Sequence, residues 1–193
     1  MALAADASDP ARADADYVVR VREGNERAFE ALFLQHFHAL ARFARSYVRS
    51  QPLAEELVQD VFLRIWAQRS RWEVQGSIRA YLFGAVRNGA LDLRARADVR
   101  RRWEAASWRA EADDVAARAA SSDEHLYAEE RAAALRRAVE RLPENRRVAF
   151  TLRWHHQLSY AEIASIMGIS VAAAQMLVAR SIAVLRTELA AFR

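Results

Sequence analysis

A chain of 193 residues with five glycines and three prolines has few ways to turn sharply or to end a strand. Tight turns draw on these two residue types for left-handed backbone and fixed φ. Their scarcity, with apolar residues recurring at helical spacing, predicts an all-α fold. Hydrophobic residues make up 53% of the chain, enough to build folded cores. There is no cysteine, which excludes disulfides, thiolate zinc sites and a cysteine nucleophile. No apolar run approaches the roughly 18 residues of a membrane span, and no signal-peptide core follows Met1. The expectation is a cytoplasmic chain with no membrane insertion.

The formal net charge of +4 is a cancellation. Residues 1–16 hold four Asp and one Arg, a net −3. Residues 17–109 hold 17 Arg and 10 acids, +7, and residues 110–130 hold one Arg and seven acids, −6. Residues 131–193 hold 10 Arg and four acids, +6. Two basic blocks are thus joined by the acidic stretch EADDVAARAASSDEH. Rich in Ala, Ser and acid, it buries little and reads as a flexible linker, although Ala and Glu also suit a solvated helix. The predicted organisation is an acidic disordered tail over 1–16, a helical domain over 17–103, a linker over 104–127 and a second helical domain over 128–193. Every basic residue is arginine, which reads as genome bias.

In the first block, Tyr17–Glu23 reads as a short helix stopped by Gly24. Asn25 then caps a helix to about Arg49, with Phe29, Leu32, Phe33, Leu40, Phe43, Ala44 and Tyr47 at helical spacing. Pro52 suits a first helical turn. The helix after it, LAEELVQDVFLRIWAQR, carries two apolar rows, with Leu63 on neither. So wide a stripe fits either a partner contact or burial on two sides. Ser77 is a plausible N-cap for a long helix that starts apolar and ends basic. Gly84 and Gly89 sit inside that helix, each at a cost of about 1 kcal/mol relative to alanine, so close packing or close approach of a ligand is expected there.

In the second block, one helix ends at Leu142 and Pro143 opens the next, which runs to Trp154. Ser159-Tyr160-Ala161-Glu162 reads as a capping box, Gly168 as a left-handed stop and Ser170 as the cap of a last long helix. A short helix, a glycine turn and a capped second helix match the helix-turn-helix, whose second helix enters the DNA major groove.

Both blocks together resemble a bacterial sigma factor of the sigma-70 superfamily, of the small extracytoplasmic-function type with only domains two and four. AFEALFLQHFHALARFARSYV resembles the family's opening helix, and AEELVQDVFLRIW resembles the helix that grips the clamp helices of core RNA polymerase. SIRAYLFGAVRNGALDLRAR resembles the helix that recognises and opens the −10 element. LPENRRVAFTLRWHHQLSYAEIASIMGIS resembles domain four, which reads the −35 element. The resemblance covers nearly all of residues 20–190. It implies binding of core polymerase and promoter DNA, and control by an anti-sigma protein.

For polymerase, the resemblance singles out Glu55, Glu56, Gln59, Asp60, Phe62, Leu63 and Trp66, carboxylates for basic partner groups and apolar residues for a buried centre. For −10 DNA it singles out Trp72, Arg79, Tyr81, Arg87, Asn88, Arg94 and Arg96. Unpairing a base costs a few kcal/mol, which stacking and polar contacts must offset. Asn88 falls at the family position that holds a flipped base, and the loop 70–77 with Trp72 falls at the base-specificity loop. Tyr81, Phe83 and Trp66 fit melting platforms or core, and Phe83 is assigned to the core. The arginines fit phosphate contacts or a solvated face.

For −35 DNA the candidates are Ser159, Tyr160, Ser170, Ala172, Ala173, Gln175, Met176 and Arg180. Here the chain departs from the family pattern. Where the family has Thr-Val and two basic residues, this helix has Ala173-Ala174-Gln175-Met176-Leu177. Only Gln175 and Arg180 on its outward face can hydrogen-bond a base or phosphate. Promoter reading at −35 is therefore either unusual and partly apolar, or weak.

Two other readings fit parts of the chain. A free-standing helix-turn-helix regulator leaves the first block unexplained. A sigma-like polymerase adaptor that reads −35 weakly rests on the departure just described. An enzyme is not expected. His36 and His38 lie two apart on a helix and do not share a face. His155 and His156 lack a nearby carboxylate pair, and no phosphate-binding glycine loop is present. No cofactor and no metal site are expected.

Overall fold

The computed structural model describes the backbone over residues 10–105 and 133–190, and side chains over 14–97 and 133–190. Every regular element among these is a helix. They are α1 (Pro10–Arg22), α2 (Glu26–Val48), α3 (Gln51–Ala67), a 3-10 turn (Arg69–Arg71), α4 (Ile78–Ala105), α5 over 133–141, α6 (Glu144–Trp154), α7 (Tyr160–Met167) and α8 (Val171–Leu189). Nearly all of the expected linker, and the side chains of Arg100, Arg101, Arg102, Trp103 and Trp108, lie outside the described residues. The described chain forms two compact units. One runs through residue 95 and includes residues 161–168; the other holds the rest.

The helix ends follow local chemistry. Asn25 caps α2, its side-chain oxygen accepting from Ala28 N at 3.0 Å. Just before it, Gly24 takes φ +82°, a left-handed conformation that a Cβ would strain. Ser50 caps α3 with Pro52 in its first turn, and Ser170 caps α8 through Ala173 N at 3.2 Å. Gly168, at φ +65°, supplies the left-handed residue between α7 and α8. The start of α4 is capped twice. Ser77 Oγ accepts from Ala80 N at 3.1 Å and donates to Glu162 Oε1 at 2.6 Å. Asp14 Oδ2, on α1, accepts from Ile78 N at 2.8 Å.

That second cap corrects one expectation. Residues 10–16 belong to α1 and are not part of a disordered tail. Asp14 finds the positive end of α4, where a carboxylate is favoured by the aligned peptide dipoles.

In the first unit, Phe43, Phe62, Phe83, Leu32, Leu40, Leu82 and Val58 are fully buried. Phe43 and Phe83 meet edge-on at 5.0 Å, which carries α4 onto α2. Each such ring removed from water contributes about 1.5–3 kcal/mol. Phe83 is core, as its periodicity indicates. Gly89 explains itself: a Cβ there would lie 2.7 Å from Leu57 Cδ1, so the residue lets α4 approach α3. In the second unit, Ala138, Leu142, Phe150 and Leu185 form the core, with Val139, Ile182 and Val184 against it. Ser181 is fully buried between α6 and α8, its hydroxyl 2.8 Å from Leu177 O and 3.2 Å from Arg146 O. His156 is also buried rather than at the surface.

Candidate polymerase and DNA interfaces

On α3, positions 56, 59, 60 and 63 recur at helical spacing and share one face. Glu56, Gln59, Asp60 and Leu63 are all exposed, Leu63 by 64%, with Leu53 exposed one turn earlier. The opposite side of the helix is core: Leu57, Val58, Val61, Phe62 and Ile65 are buried. The wide apolar stripe is divided between core and surface. Most of it is buried inside the unit, and Leu53 and Leu63 face outward. Glu55 is half-buried and accepts from Gln51 Nε2.

Two residues expected at the polymerase contact are less exposed than the rest of that face. Phe62 is 2% exposed and packs edge-on against Phe29 at 5.8 Å and Phe33 at 5.0 Å. A ring so placed supports the face from beneath and cannot form its contact surface. Trp66 is half-buried, with Phe29 at 4.8 Å and the Arg69 guanidinium 4.5 Å from its ring centre. Arg69 Nη1 also donates to Trp66 O at 2.9 Å, so the indole is held from two sides. Arg69 stands outside the expected residues, although an arginine three residues after a tryptophan at a helix end is the signal for such a clasp.

On α4, Tyr81 and Arg87 are half-buried and Asn88 is exposed. Tyr81, Gly84 and Asn88 follow one another by three and four residues and so share a face. Arg96 is exposed, Arg79 and Arg94 half-buried. Trp72 differs from expectation. It is 4% exposed and meets Tyr81 edge-on at 5.9 Å, with its Nε1 buried and lacking a hydrogen-bond partner among the described residues. In this conformation it is the floor of the loop and not a presented ring. The 3-10 turn Arg69–Arg71 ends on Trp72, whose backbone N–H donates to Arg69 O at 3.1 Å.

His36 of α2 lies near the start of α4. Burial holds its pKa below the ordinary 6.5; the Arg79 charge lowers it further and the Asp14 carboxylate opposes both. The Asp14 cap and this histidine couple α1, α2 and the base of α4. No reading of the sequence foresaw this, because Asp14 and Ile78 lie far apart in the chain.

On α8, the buried row is Ala174, Val178, Ser181 and Leu185. Val171 and Met176 are exposed, Met176 by 51%, together with Ala172, Gln175, Ala179 and Arg180; Ala173 is half-buried. The outward face is therefore short of charge, as its sequence indicates. Ser170 is committed to its cap, and Ser159 is exposed just ahead of α7. Tyr160 is half-buried under the Arg153 guanidinium at 5.1 Å. Arg153 Nη1 also donates to Leu158 O at 2.9 Å, which closes the turn between α6 and α7.

Among the described residues no group of three or more His, Asp or Glu is placed to hold a metal ion, and no single helix is long and apolar enough to cross a membrane.

Residues 32–102 match the family model for sigma-70 region 2, and residues 132–185 match that for sigma-70 region 4. The chain is 30% identical over 155 residues to the ECF RNA polymerase sigma-E factor of Escherichia coli K12, covering 78% of this chain and 80% of that protein. It is 29% identical over 157 residues to the RNA polymerase sigma factor CarQ of Myxococcus xanthus, covering 81% and 86%. Among solved structures it resembles CnrH, solved in complex with the cytosolic domain of CnrY, with TM-score 0.65 and 25% identity over 93% of this chain and 98% of that one. It also resembles the sigma factor RpoE of Bartonella quintana, solved with the anti-sigma factor NepR, with TM-score 0.60 and 25% identity over 86% and 98%. With both region models matched in order and the helices they require in place, the chain belongs to the sigma-70 family, as a sigma factor of the extracytoplasmic-function type that directs RNA polymerase in transcription initiation.

Proposed function

We propose that the two matched regions act as separate modules, 17–103 and 128–193, tethered by residues 104–127. The first docks on the clamp helices of core polymerase through the exposed stripe of α3: Glu56, Gln59, Asp60 and Leu63, flanked by Glu55 and Trp66 and underlain by Phe62. Acidic groups around one exposed leucine suit a basic partner with an apolar centre. The same module receives the −10 element on α4. Asn88 and Tyr81 take unpaired bases, and Arg79, Arg87, Arg94 and Arg96 carry phosphate contacts. Neutralising backbone phosphates supplies most of the affinity, and base contacts supply selectivity. Trp72 supports this face by packing behind Tyr81.

The second module reads −35 DNA through α8. Gln175 offers a bidentate pair to adenine, and Ala172, Ala173 and Met176 offer contact to thymine methyls. Arg180 carries phosphate, and Ser159, Tyr160 and Ser170 lie at the helix starts where phosphates are held. The chain acts by binding, without catalysing a reaction of its own, and works in the cytoplasm beside polymerase. Both similar solved structures hold a bound partner chain, and NepR is an anti-sigma factor. An anti-sigma protein is accordingly the proposed regulator of this chain.

The observation that carries this reading is the presence of region 2 and region 4 in order on one chain. Run-off transcription with purified core polymerase on a pool of genomic fragments tests it. Specific transcripts that require this chain are the expected result. Polymerase binding without transcripts would establish the adaptor instead, a reading favoured only by the sparse charge on α8.

A further inference from the structure

Glycine inside a helix costs about 1 kcal/mol relative to alanine, so each of the two in α4 calls for a compensating use. Gly89 has one in the tight approach to Leu57. Gly84 has none among the described residues: a Cβ built there meets nothing within 4 Å. The missing side chain leaves a stretch of bare helix backbone open on the surface. Tyr81 lies one turn before it and Asn88 one turn after it, on the same face. Tyr81 is backed edge-on by Trp72.

We propose that Gly84 is a positioning residue for promoter opening: the bare backbone between Tyr81 and Asn88 seats one unstacked nucleobase of the melted strand. A base is flat and stacks at van der Waals distance, so it can lie against a helix only where no side chain stands in its way. Tyr81 gives it an aromatic neighbour, and Asn88 gives an amide that both donates to and accepts from a base edge. The inference rests on the proposed role of α4 in −10 recognition and adds the residue that makes room.

Helix propensity and base seating push Gly84 substitutions in opposite directions, which makes the test sharp. Gly84→Ala and Gly84→Leu are prepared in the full chain and combined with core polymerase. The template is the genomic fragment that gives the strongest transcript with the wild type. 2-Aminopurine, placed in turn at each −10 position, reports base unstacking. Gly84→Ala is expected to raise the melting temperature by about 2–6 °C, since the open site accepts a methyl and alanine favours helix. Open-complex yield nevertheless falls, roughly 3-fold for alanine and more than roughly 10-fold for leucine, while binding to the closed duplex is unchanged. Wild-type opening by both variants would overturn the proposal and leave the sigma reading intact. Failure of the wild-type chain to open any fragment would overturn both. Should Gly84→Leu fold poorly, the alanine variant, more stable than wild type, decides alone.

Discussion

Replacing Asp14 with alanine removes the acceptor for the first free N–H of α4. The bond from Ile78 N to Asp14 Oδ2 is 2.8 Å long, and Ile78 itself is 2% exposed, so water has little access to replace it. A hydrogen bond to a charged group contributes about 1.5–3 kcal/mol, and part of that value is the attraction of the carboxylate to the helix N-terminus. Ser77 still serves Ala80 N, so the helix keeps one cap. A loss of about 1–3 kcal/mol is therefore expected from Asp14→Ala, and less from Asp14→Asn, which keeps an acceptor and loses the charge. Urea unfolding of the full chain, followed by tryptophan fluorescence, measures the difference. His36 adds a dependence on pH. Its folded-state pKa lies below 6.5, with burial the main cause, so the folded protein favours the neutral ring. The stability this contributes is present above pH 6.5 and is lost as pH falls below it toward the lowered value, by at most about 1.4 kcal/mol per pH unit. The Asp14 carboxylate opposes that lowering, so in Asp14→Ala the folded-state pKa falls further and stability goes on being lost at pH values where the wild type has already levelled off. An Asp14→Ala midpoint within about 0.5 kcal/mol of wild type, with the same pH slope, would refute the bridging of α1 to α4.

Other substitutions separate surface from support. Leu63→Ala should weaken core-polymerase binding roughly 10-fold at unchanged stability, whereas Phe62→Ala should cost about 3–5 kcal/mol of folding free energy; equilibrium binding and urea melts on both variants distinguish these outcomes. Gln175→Ala should relax the preference at a single −35 base pair by about 1–3 kcal/mol, and Arg180→Ala should weaken binding evenly across sequences and flatten its salt dependence, both read in promoter-mutant binding assays. Gly89→Ala should lower the melting temperature despite its gain in helix propensity, because the new methyl meets Leu57 Cδ1, itself part of the core; calorimetry beside Gly84→Ala shows the two opposite signs.

The α8 face gives these numbers a wider meaning. With Arg180 and Gln175 as its hydrogen-bonding groups, it carries little of the charge that makes DNA binding tight and salt-dependent. Under the proposed assignment of α4 and α8, affinity for the promoter leans on α4 and on polymerase, and the −35 contact contributes mainly selectivity.

Helices and their ends were legible in the residues alone. Asn25, Ser77, Ser170, Gly24 and Gly168 each act on neighbours three or four positions away, and a signal that short survives in any tertiary setting. The exposed face of α3 and the poverty of α8 were legible for the same reason, since helical spacing alone decides which residues share a face. Tertiary structure decided what those faces meet. It turned Trp72 inward, made Phe62 a support, buried Ser181 and His156, and brought Asp14 to Ile78 across 64 positions. It also told the two glycines of α4 apart, one pressed on Leu57 and one open. Each of these depends on which surfaces pack together, and a pattern of period 3.6 carries the direction of a side chain without the identity of its neighbour.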